Sequence, residues 1–180
     1  MSTTNAREAA AYLVQDAGGE LVGRTRLQKV AYLAQLAGFD EQFSFEYRHY
    51  GPFSEDLARG MEIATGLGDV KEVERQTDWG GRYSVYSTKN KQPYNSNRAN
   101  FVQEAKKIDA NELELAATAA FLFEVEGIGK GNADNPWAET RRRKPEKATV
   151  ERLKRAAAVY ERLRNIETPR PLPTLPPLPL

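Results

Sequence analysis

The residues best suited to chemistry in this sequence surround its single histidine, His49, which lies between Arg48 and Tyr50. An imidazole titrates near neutral pH and can serve as a general base. Such catalysis normally also needs a nucleophile or an orienting carboxylate within reach. The nearest carboxylates along the chain belong to Glu46, Glu55 and Asp56. Only a cluster of Glu46, His49 and Asp56 around one cavity would indicate an enzyme. We instead predict a structural role for the His49 ring, bonded to the backbone or stacked near Tyr50.

The composition excludes several other kinds of reactive site. The chain has no cysteine, which rules out disulfides, thiol catalysis and thiolate metal ligands, and its one histidine cannot form a histidine-rich metal site. The loop from Gly127 to Gly131 lacks the Lys-Ser or Lys-Thr pair of a phosphate-binding P-loop, so we interpret it as a flexible connection. We therefore predict no enzymatic activity, no cofactor and no metal.

A predicted helix that follows Ser54 presents an acidic face. Its outward positions carry Glu55, Asp56 and Glu62 but only one arginine, Arg59. A helix that reads the major groove usually presents basic or amide side chains, and three carboxylates would repel the phosphate backbone. We therefore predict that this helix and the turn before it bind a protein partner. The candidate partner-binding residues are Arg48, His49, Tyr50, Phe53, Glu55, Asp56, Arg59 and Glu62.

Nucleic acid is the alternative partner, through two basic regions. In a predicted hairpin, basic residues are interleaved with Trp79, Tyr83 and Tyr86. A wing of this kind can insert a basic side chain into a minor groove, and aromatic rings can stack on unpaired bases. The nucleic-acid candidates are Arg75, Trp79, Arg82, Lys89, Arg141, Arg142, Arg143 and Lys144. The competing explanation is that the tyrosines bury one face of the hairpin while the charges are solvated.

Apolar residues at helical spacing predict the helices that position these side chains. One helix covers about residues 6–17, and a second begins at Thr25 and ends near Gly38. Thr25 and Gln28 have the spacing of a capping box, in which the threonine accepts an amide proton from the first turn and the glutamine reaches back. Lys29 is then expected to be solvated. The alternative is that Gln28 and Lys29 contact a partner or a phosphate.

The next elements follow the order of a winged helix. Alternating aromatic residues at 43–47 predict an extended segment that reaches the turn at Gly51 and Pro52, after which Ser54 caps the third helix. Residues 70–76 and 82–87 predict a hairpin with one buried and one exposed face.

The second half is predicted to be helical, with helices around Phe101, over residues 111–126, from the cap at Asn135, and over residues 149–166. The predicted fold class is mainly α (α+β). A winged-helix-like part with a hairpin (1–91) and a helical part (92–167) form one compact domain. A proline-rich tail (168–180) follows and is expected to be non-helical, either extended or disordered. The alternative is that the tail docks into an aromatic groove, because polyproline segments lose little entropy on binding.

The location is predicted to be cytoplasmic. No apolar run approaches the roughly 18 residues of a membrane span. The first seven residues lack the apolar core of a signal peptide. The oligomeric state is left open.

Two motifs carry a resemblance to a known family. The stretch Leu27–Leu33 (Leu-Gln-Lys-Val-Ala-Tyr-Leu) and the stretch Tyr50–Ser54 (Tyr-Gly-Pro-Phe-Ser), followed by a helix that ends near Gly66 and Gly68, resemble the YwgA-like family. That family is similar to the SocA-like antitoxin domain, also called Panacea. The resemblance covers about residues 5–90 by motif, and the helical remainder agrees in general shape. The SocA-like branch usually has a valine where this chain carries Phe53, and the YwgA-like branch tolerates an aromatic residue there.

The resemblance implies an α-rich fold with a small hairpin and usually no enzymatic activity. Better-understood relatives act as antitoxins or adaptors that bind a partner protein, and they are commonly encoded in phage-derived or other mobile loci. The function expected from the resemblance is therefore an antitoxin-like or adaptor-like interaction with a toxin or a defence component. The alternative is a winged-helix transcriptional regulator that binds DNA.

Overall fold

The computed structural model describes residues 3–40 and 42–179, and these residues form seven α-helices and five short strands. The predicted mainly α (α+β) class is confirmed. In the part of the chain described, no helix is long and apolar enough to cross a membrane. The elements are α1 Thr3–Asp16, β1 Glu20–Val22, α2 Arg24–Leu36, β2 Glu46–Arg48, β3 Gly51–Phe53, α3 Glu55–Leu67, β4 Lys71–Gln76, β5 Arg82–Ser87, α4 Ser96–Lys106, α5 Ala110–Glu124, α6 Pro136–Arg143 and α7 Val150–Arg164.

The third helix begins where its cap predicts. Ser54 Oγ accepts a hydrogen bond from the amide of Leu57, which satisfies one of the free amides of the first turn. Glu55 and Asp56 lie in that turn, where the positive end of the helix dipole favours carboxylates. The helix packs closely on α1, because Gly60 has no side chain and a Cβ there would overlap the carbonyl of Ala6.

The capping box predicted for α2 is wrong. The helix begins one residue earlier, at Arg24, and its N-cap is Gly23, which has a φ of 95° and offers no side-chain cap. Gln28 does not reach back to its own helix, because its amide group bonds to the backbone of Ser54 instead. The local spacing was compatible with a cap, but a partner 26 residues away holds the side chain.

The predicted hairpin is confirmed, and it belongs to a three-stranded antiparallel sheet in the order β1-β5-β4. The sequence did not predict β1 or the small sheet of β2 and β3. The expectation of one exposed face on β5 is wrong, since Ser84, Val85 and Tyr86 are all buried. β5 is the middle strand, and the side chains of Arg24 and Glu72 cover its Ser84 face by bonding to the Ser84 hydroxyl.

The two halves share one hydrophobic core. α5 lies within it and is buried almost all round, packing against α2, α6 and α7. The core includes Leu33 from the first half and Phe101, Leu115 and Tyr160 from the second. The cap predicted for α6 is confirmed, because Asn135 Oδ1 accepts the amides of Trp137 and Ala138. The domain boundaries and the winged-helix relationship stay predictions.

The proline-rich tail has an ordered position on the protein, although disorder was one of the two states expected for it. Residues 168–179 form no helix or strand, but they lie against the body of the protein, with Leu172 and Leu175 inside the hydrophobic core. The physical reason is that these leucines bury apolar surface, while nearby side chains satisfy the carbonyls of the prolines. Composition alone shows how poorly such a segment forms a helix, but it does not show that the rest of the chain provides a seat for it.

Candidate functional site

Helix α2 holds the segment that contains the candidate turn. The amide of Gln28 donates to the Ser54 carbonyl at 3.0 Å and accepts from the Ser54 amide at 2.8 Å. Two helical turns later, Gln35 makes the same paired contact with the backbone of Phe43, at 2.8 and 3.1 Å. Each glutamine amide therefore binds both the N–H and the C=O of one backbone residue, as a neighbouring β-strand would, and so joins the helix to the extended chain beside it.

Lys29 lies between these contacts and is buried, with 1% of its surface exposed. Its ammonium group donates to the Pro52 carbonyl at 2.7 Å. Burial lowers the pKa of Lys29 to about 7, an effect that the Glu114 carboxylate opposes and that Lys144 and Lys147 strengthen. The expectation of a solvated Lys29 is therefore wrong, and its role is to bind the backbone of the turn from inside.

A second buried group of charges holds the other side of the turn. Glu114 on α5 is 2% exposed and binds Lys144 at 2.7 Å and Lys147 at 2.9 Å. Lys144 also donates to the carbonyl of His49 at 2.9 Å, and the Lys147 ammonium lies 4.7 Å from the centre of the Tyr50 ring. The helical part of the chain thus determines the position of the turn.

Gly51 brings the turn into direct contact with α5. It adopts a φ of +88°, and a Cβ at this position would overlap the Thr118 hydroxyl. The Tyr-Gly-Pro motif therefore requires glycine for two reasons, conformation and space.

Beside this turn, a cavity of about 500 Å³ opens between the start of α2, the outer face of α3 and the sheet. We call it the α3 groove. Five of the eight partner-binding candidates line it, namely Tyr50, Phe53, Glu55, Arg59 and Glu62. Its other lining residues include the apolar side chains of Leu27 and Met61.

The remaining partner-binding candidates lie outside the α3 groove. Arg48 stacks on Phe53 at 4.7 Å and pairs with Glu46 and Glu55. His49 is exposed, with its ring edge-on to Tyr50 at 4.8 Å.

Asp56 lines a different cavity, together with Tyr12, Tyr94 and Arg98, that neither Glu46 nor His49 lines. This cavity therefore does not hold the cluster of Glu46, His49 and Asp56 that would indicate an enzyme.

The nucleic-acid candidates fall into two groups. In the hairpin, Arg75 and Trp79 are exposed, with Trp79 at 85%, and Arg82 lies 3.7 Å from Glu74. Lys89 follows the hairpin and is also exposed.

In the later group, Arg141 is exposed, but its three neighbours are engaged in ion pairs. Arg142 and Arg143 both bind Glu139, and the hydrogen bond from Arg142 above all lowers the pKa of that carboxyl to about 2. Arg143 also binds Glu126, and Lys144 is buried against Glu114.

Several residues of the site were missed in the sequence. Arg24, Glu72 and Tyr86 line the α3 groove, and Glu72 binds Arg24 at 2.8 Å. They come from separate elements, so no spacing in the chain joins them. Lys29 was detectable, because it lies among Leu27, Val30 and Ala31 on a wide apolar stripe, which leaves little room for a solvated lysine.

Comparison with known proteins adds one relative. Over 74 residues the chain is 36% identical to the "Uncharacterized protein YwgA" of Bacillus subtilis (strain 168). The match covers 39% of this chain and 43% of the relative, so it spans less than half the length of either protein. No protein-family model matches the chain. The similarity supports a YwgA-like resemblance of this chain.

Proposed function

We propose that this protein is a non-enzymatic interaction module that binds a partner protein through the α3 groove and the adjoining turn. One observation carries the proposal. The backbone of the turn is fixed from inside by buried polar contacts from Gln28, Lys29 and Lys144, while Tyr50 remains 51% exposed at the edge of the groove. A preorganised surface of this kind binds without the entropic cost of ordering a loop.

The chemistry of the α3 groove defines the partner. Exposed Tyr50 and half-buried Phe53 offer aromatic contact area, and aromatic residues are enriched among those that dominate binding energies. Glu55 and Glu62 add negative charge at exposed positions of α3. The fitting partner therefore presents an apolar side chain flanked by lysine or arginine.

The biological role is proposed from the resemblance. Since the motifs are similar to those of the SocA-like antitoxin domain, we propose an antitoxin-like or adaptor-like role, in which a toxin or a component of a phage-defence locus is neutralised or delivered. The proposed location is the cytoplasm. The α-rich fold and the exposed, preformed turn support such a role.

The test is capture of the partner from the native host by the tagged chain, with nuclease treatment. Charge reversal at Glu55 and Glu62 is expected to reduce recovery of a stoichiometric partner at least tenfold. Asp56→Lys provides the matched control, because Asp56 lies on the same helix but lines a different cavity. Undiminished capture by the Glu55→Lys/Glu62→Lys variant would contradict the proposal.

The alternative is a winged-helix regulator that binds DNA. The order α1-β1-α2-α3-β4-β5, with the β2–β3 pair inserted between α2 and α3, and the exposed hairpin bearing Trp79 favour it. The carboxylates on α3 and the ion pairs of Arg142, Arg143 and Lys144 weaken it. This function predicts binding to the promoter of its own gene that falls steeply with salt, since each phosphate contact releases counterions. Absent or salt-insensitive binding rules it out.

A further inference from the structure

The proline-rich tail is buried with a period of three residues. Leu172 and Leu175 are buried and Leu178 is half-buried, while the residues directly before each of them, Pro171, Thr174 and Pro177, are exposed. Three residues per turn is the period of a polyproline II helix, and the prolines favour that conformation. The three leucines therefore form one stripe, which faces the body of the protein.

The body also recognises the backbone of the tail. Arg164 donates to the Leu172 carbonyl at 3.2 Å, and the Tyr160 hydroxyl donates to the Pro173 carbonyl at 2.6 Å. Asn135, which caps α6 through its Oδ1, donates through its Nδ2 to the Pro177 carbonyl at 2.8 Å. Two of these three carbonyls belong to prolines, which have no amide donor that would need a partner of its own.

Two glycines leave room for the tail. A Cβ at Gly38 would lie 2.9 Å from the Arg170 amide nitrogen, and a Cβ at Gly129 would lie 2.9 Å from Pro176 Cγ. At the Gly38 end, the Arg170 amide donates to the Ala37 carbonyl at 3.0 Å. The seat thus runs from the end of α2 across α7 to the start of α6, and we call it the tail groove.

The tail does not fill the space beside it. A cavity of about 390 Å³ lies along Pro171 and Pro173 and is also lined by Tyr32, Phe43 and Val125. Tyr32 is 5% exposed, and its hydroxyl has no hydrogen-bond partner among the residues that the structure describes. A buried hydroxyl without a partner is costly.

We propose that the tail groove is a recognition site for polyproline II segments, and that the tail is its intramolecular ligand. The ligand class is a proline-rich segment of a partner protein with a leucine at every third position. In the tail groove, Tyr160, Arg164 and Asn135 bind backbone carbonyls of the segment. The buried positions of the leucines select a segment that has leucine at every third position. A trans segment that also reaches the Tyr32 cavity makes contacts that the tail does not make.

This site is independent of the proposed function. The tail groove and its side cavity share no lining residue with the α3 groove. The tail competes with a trans segment as a tethered ligand, at an effective concentration in the millimolar range for a short linker. Binding in trans is therefore expected to be weak in the unmodified chain and stronger once the tail is released.

The experiment uses a fluorescein-labelled peptide with the sequence of residues 168–179 and measures its anisotropy against the full chain. In the variant Leu172→Asp/Leu175→Asp, the tail carries charges that cannot enter the core. We expect this variant to bind the peptide at least tenfold more tightly than the unmodified chain does. A control peptide of the same composition, with its leucines two residues apart, is expected to bind neither protein.

Failure of the released variant to bind, with its circular dichroism unchanged, would overturn the proposal, since the tail would then be a permanent part of the fold. If that variant does not fold, the intact chain supplies the test. Trp79→Phe leaves Trp137 as the sole tryptophan, and Pro179→Cys gives a single labelling site for a dye that tryptophan quenches. Added peptide is expected to displace the tail and so to raise the dye fluorescence. Unchanged fluorescence at saturating peptide would show that the peptide does not displace the tail, which would overturn the proposal.

A second copy of this chain is the competing source of the trans segment. Analytical ultracentrifugation of the unmodified chain over a hundredfold range of concentration shows whether copies of the chain bind one another. A monomer throughout is the expected result. A dimer that the peptide dissociates would overturn the assignment to a partner protein, because the trans ligand would then be the tail of another copy.

Discussion

An ammonium group as deeply buried as that of Lys29 loses its hydration shell and recovers little of it from a single carbonyl contact. Its charge also lies near those of Lys144 and Lys147, with Glu114 as the compensating carboxylate. The residue is tolerable because its uncharged form is accessible near neutral pH. At the residue scale, the Gln and Lys of the Leu-Gln-Lys motif therefore bind the backbone of the turn, and the lysine changes its protonation state near neutral pH.

The depressed pKa of Lys29 predicts a pH dependence of stability. Between about 7, its pKa in the folded protein, and its ordinary value of 10.5, the unfolded chain holds a proton that the folded chain has released. The free energy of unfolding therefore rises with pH in this window, by up to about 1.4 kcal/mol per pH unit. Urea unfolding at pH 7.5 and 9.5 should show a gain about 2 kcal/mol larger for the unmodified chain than for Lys29→Met.

The control for this prediction is Lys71→Met, since Lys71 is exposed on β4 and has no such role. It should keep the pH dependence of the unmodified chain. An equal gain in Lys29→Met and Lys71→Met would show that Lys29 does not titrate in this window.

Gly51 gives a second prediction at this scale. Gly51→Ala combines a positive φ with overlap of the Thr118 hydroxyl, and we expect a loss of about 3 kcal/mol in the free energy of unfolding. Gly131→Ala is the control, because Gly131 has a φ of +71° and open space around it, so only the backbone cost of about 1 kcal/mol applies. Adding Thr118→Ala should recover part of the loss at Gly51. Chemical denaturation of these three variants and of Thr118→Ala alone measures each contribution, and no recovery would exclude the overlap.

At the scale of elements, the features that depend on contacts within a few residues were predicted correctly, and those that depend on distant contacts were not. Ser54 and Asn135 were predicted as caps because a cap bonds within three residues of itself. The β4–β5 hairpin was predictable for the same reason. Gln28 has an equally plausible local partner, but its amide bonds 26 residues away, and a single sequence does not decide between the two.

The residues of the candidate site likewise divide into those that are close in sequence, which could be predicted, and those that only the fold brings together. Tyr50, Phe53 and Glu55 are close in the chain, so the turn and the start of α3 could be assigned to one surface from sequence. Glu72 and Tyr86, which complete the α3 groove, arrive through the sheet. The tail groove depends on three separate helices, which is why composition indicated disorder for its ligand.

The paired amide contacts of α2 predict the effect of a minimal change. Gln28→Glu keeps an acceptor for the Ser54 amide but replaces the donor to the Ser54 carbonyl with a carboxylate oxygen. Leaving a buried carbonyl unpaired opposite that oxygen should cost about 2 kcal/mol. Hydrogen exchange should also show lower protection for the first turn of α3. Gln76→Glu, at an exposed position, is the control and should change stability by less than about 0.5 kcal/mol. Equal effects at the two positions would contradict a structural role for Gln28.

At the scale of the whole molecule, the two halves of the chain fix each other. Glu114 on α5 binds Lys144 at the end of α6, and Lys144 in turn binds the His49 carbonyl in the turn of the first half. In the opposite direction along the chain, the tail returns from α7 to the end of α2. The partner-binding surface assigned to residues 48–62 therefore depends in part on helices more than fifty residues downstream, because residues 1–91 contain Gln28 and Lys29 but lack Glu114 and Lys144.

Glu114 is the residue at which this dependence is best tested. Glu114→Gln removes the carboxylate that binds both Lys144 and Lys147, and we expect a loss of about 3–5 kcal/mol in the free energy of unfolding, because a buried charge is left uncompensated. Glu104→Gln breaks the exposed pair with Lys107 and should cost less than about 0.5 kcal/mol.

The double variant Glu114→Gln/Lys144→Met separates charge from packing. If the cost arises from the unpaired ammonium, removing that ammonium should restore at least half of the stability lost in the single variant, as measured by urea unfolding. Additive losses would instead mean that Lys144 stabilises the fold chiefly through the His49 carbonyl, and that the turn is held by this hydrogen bond more than by the buried ion pair.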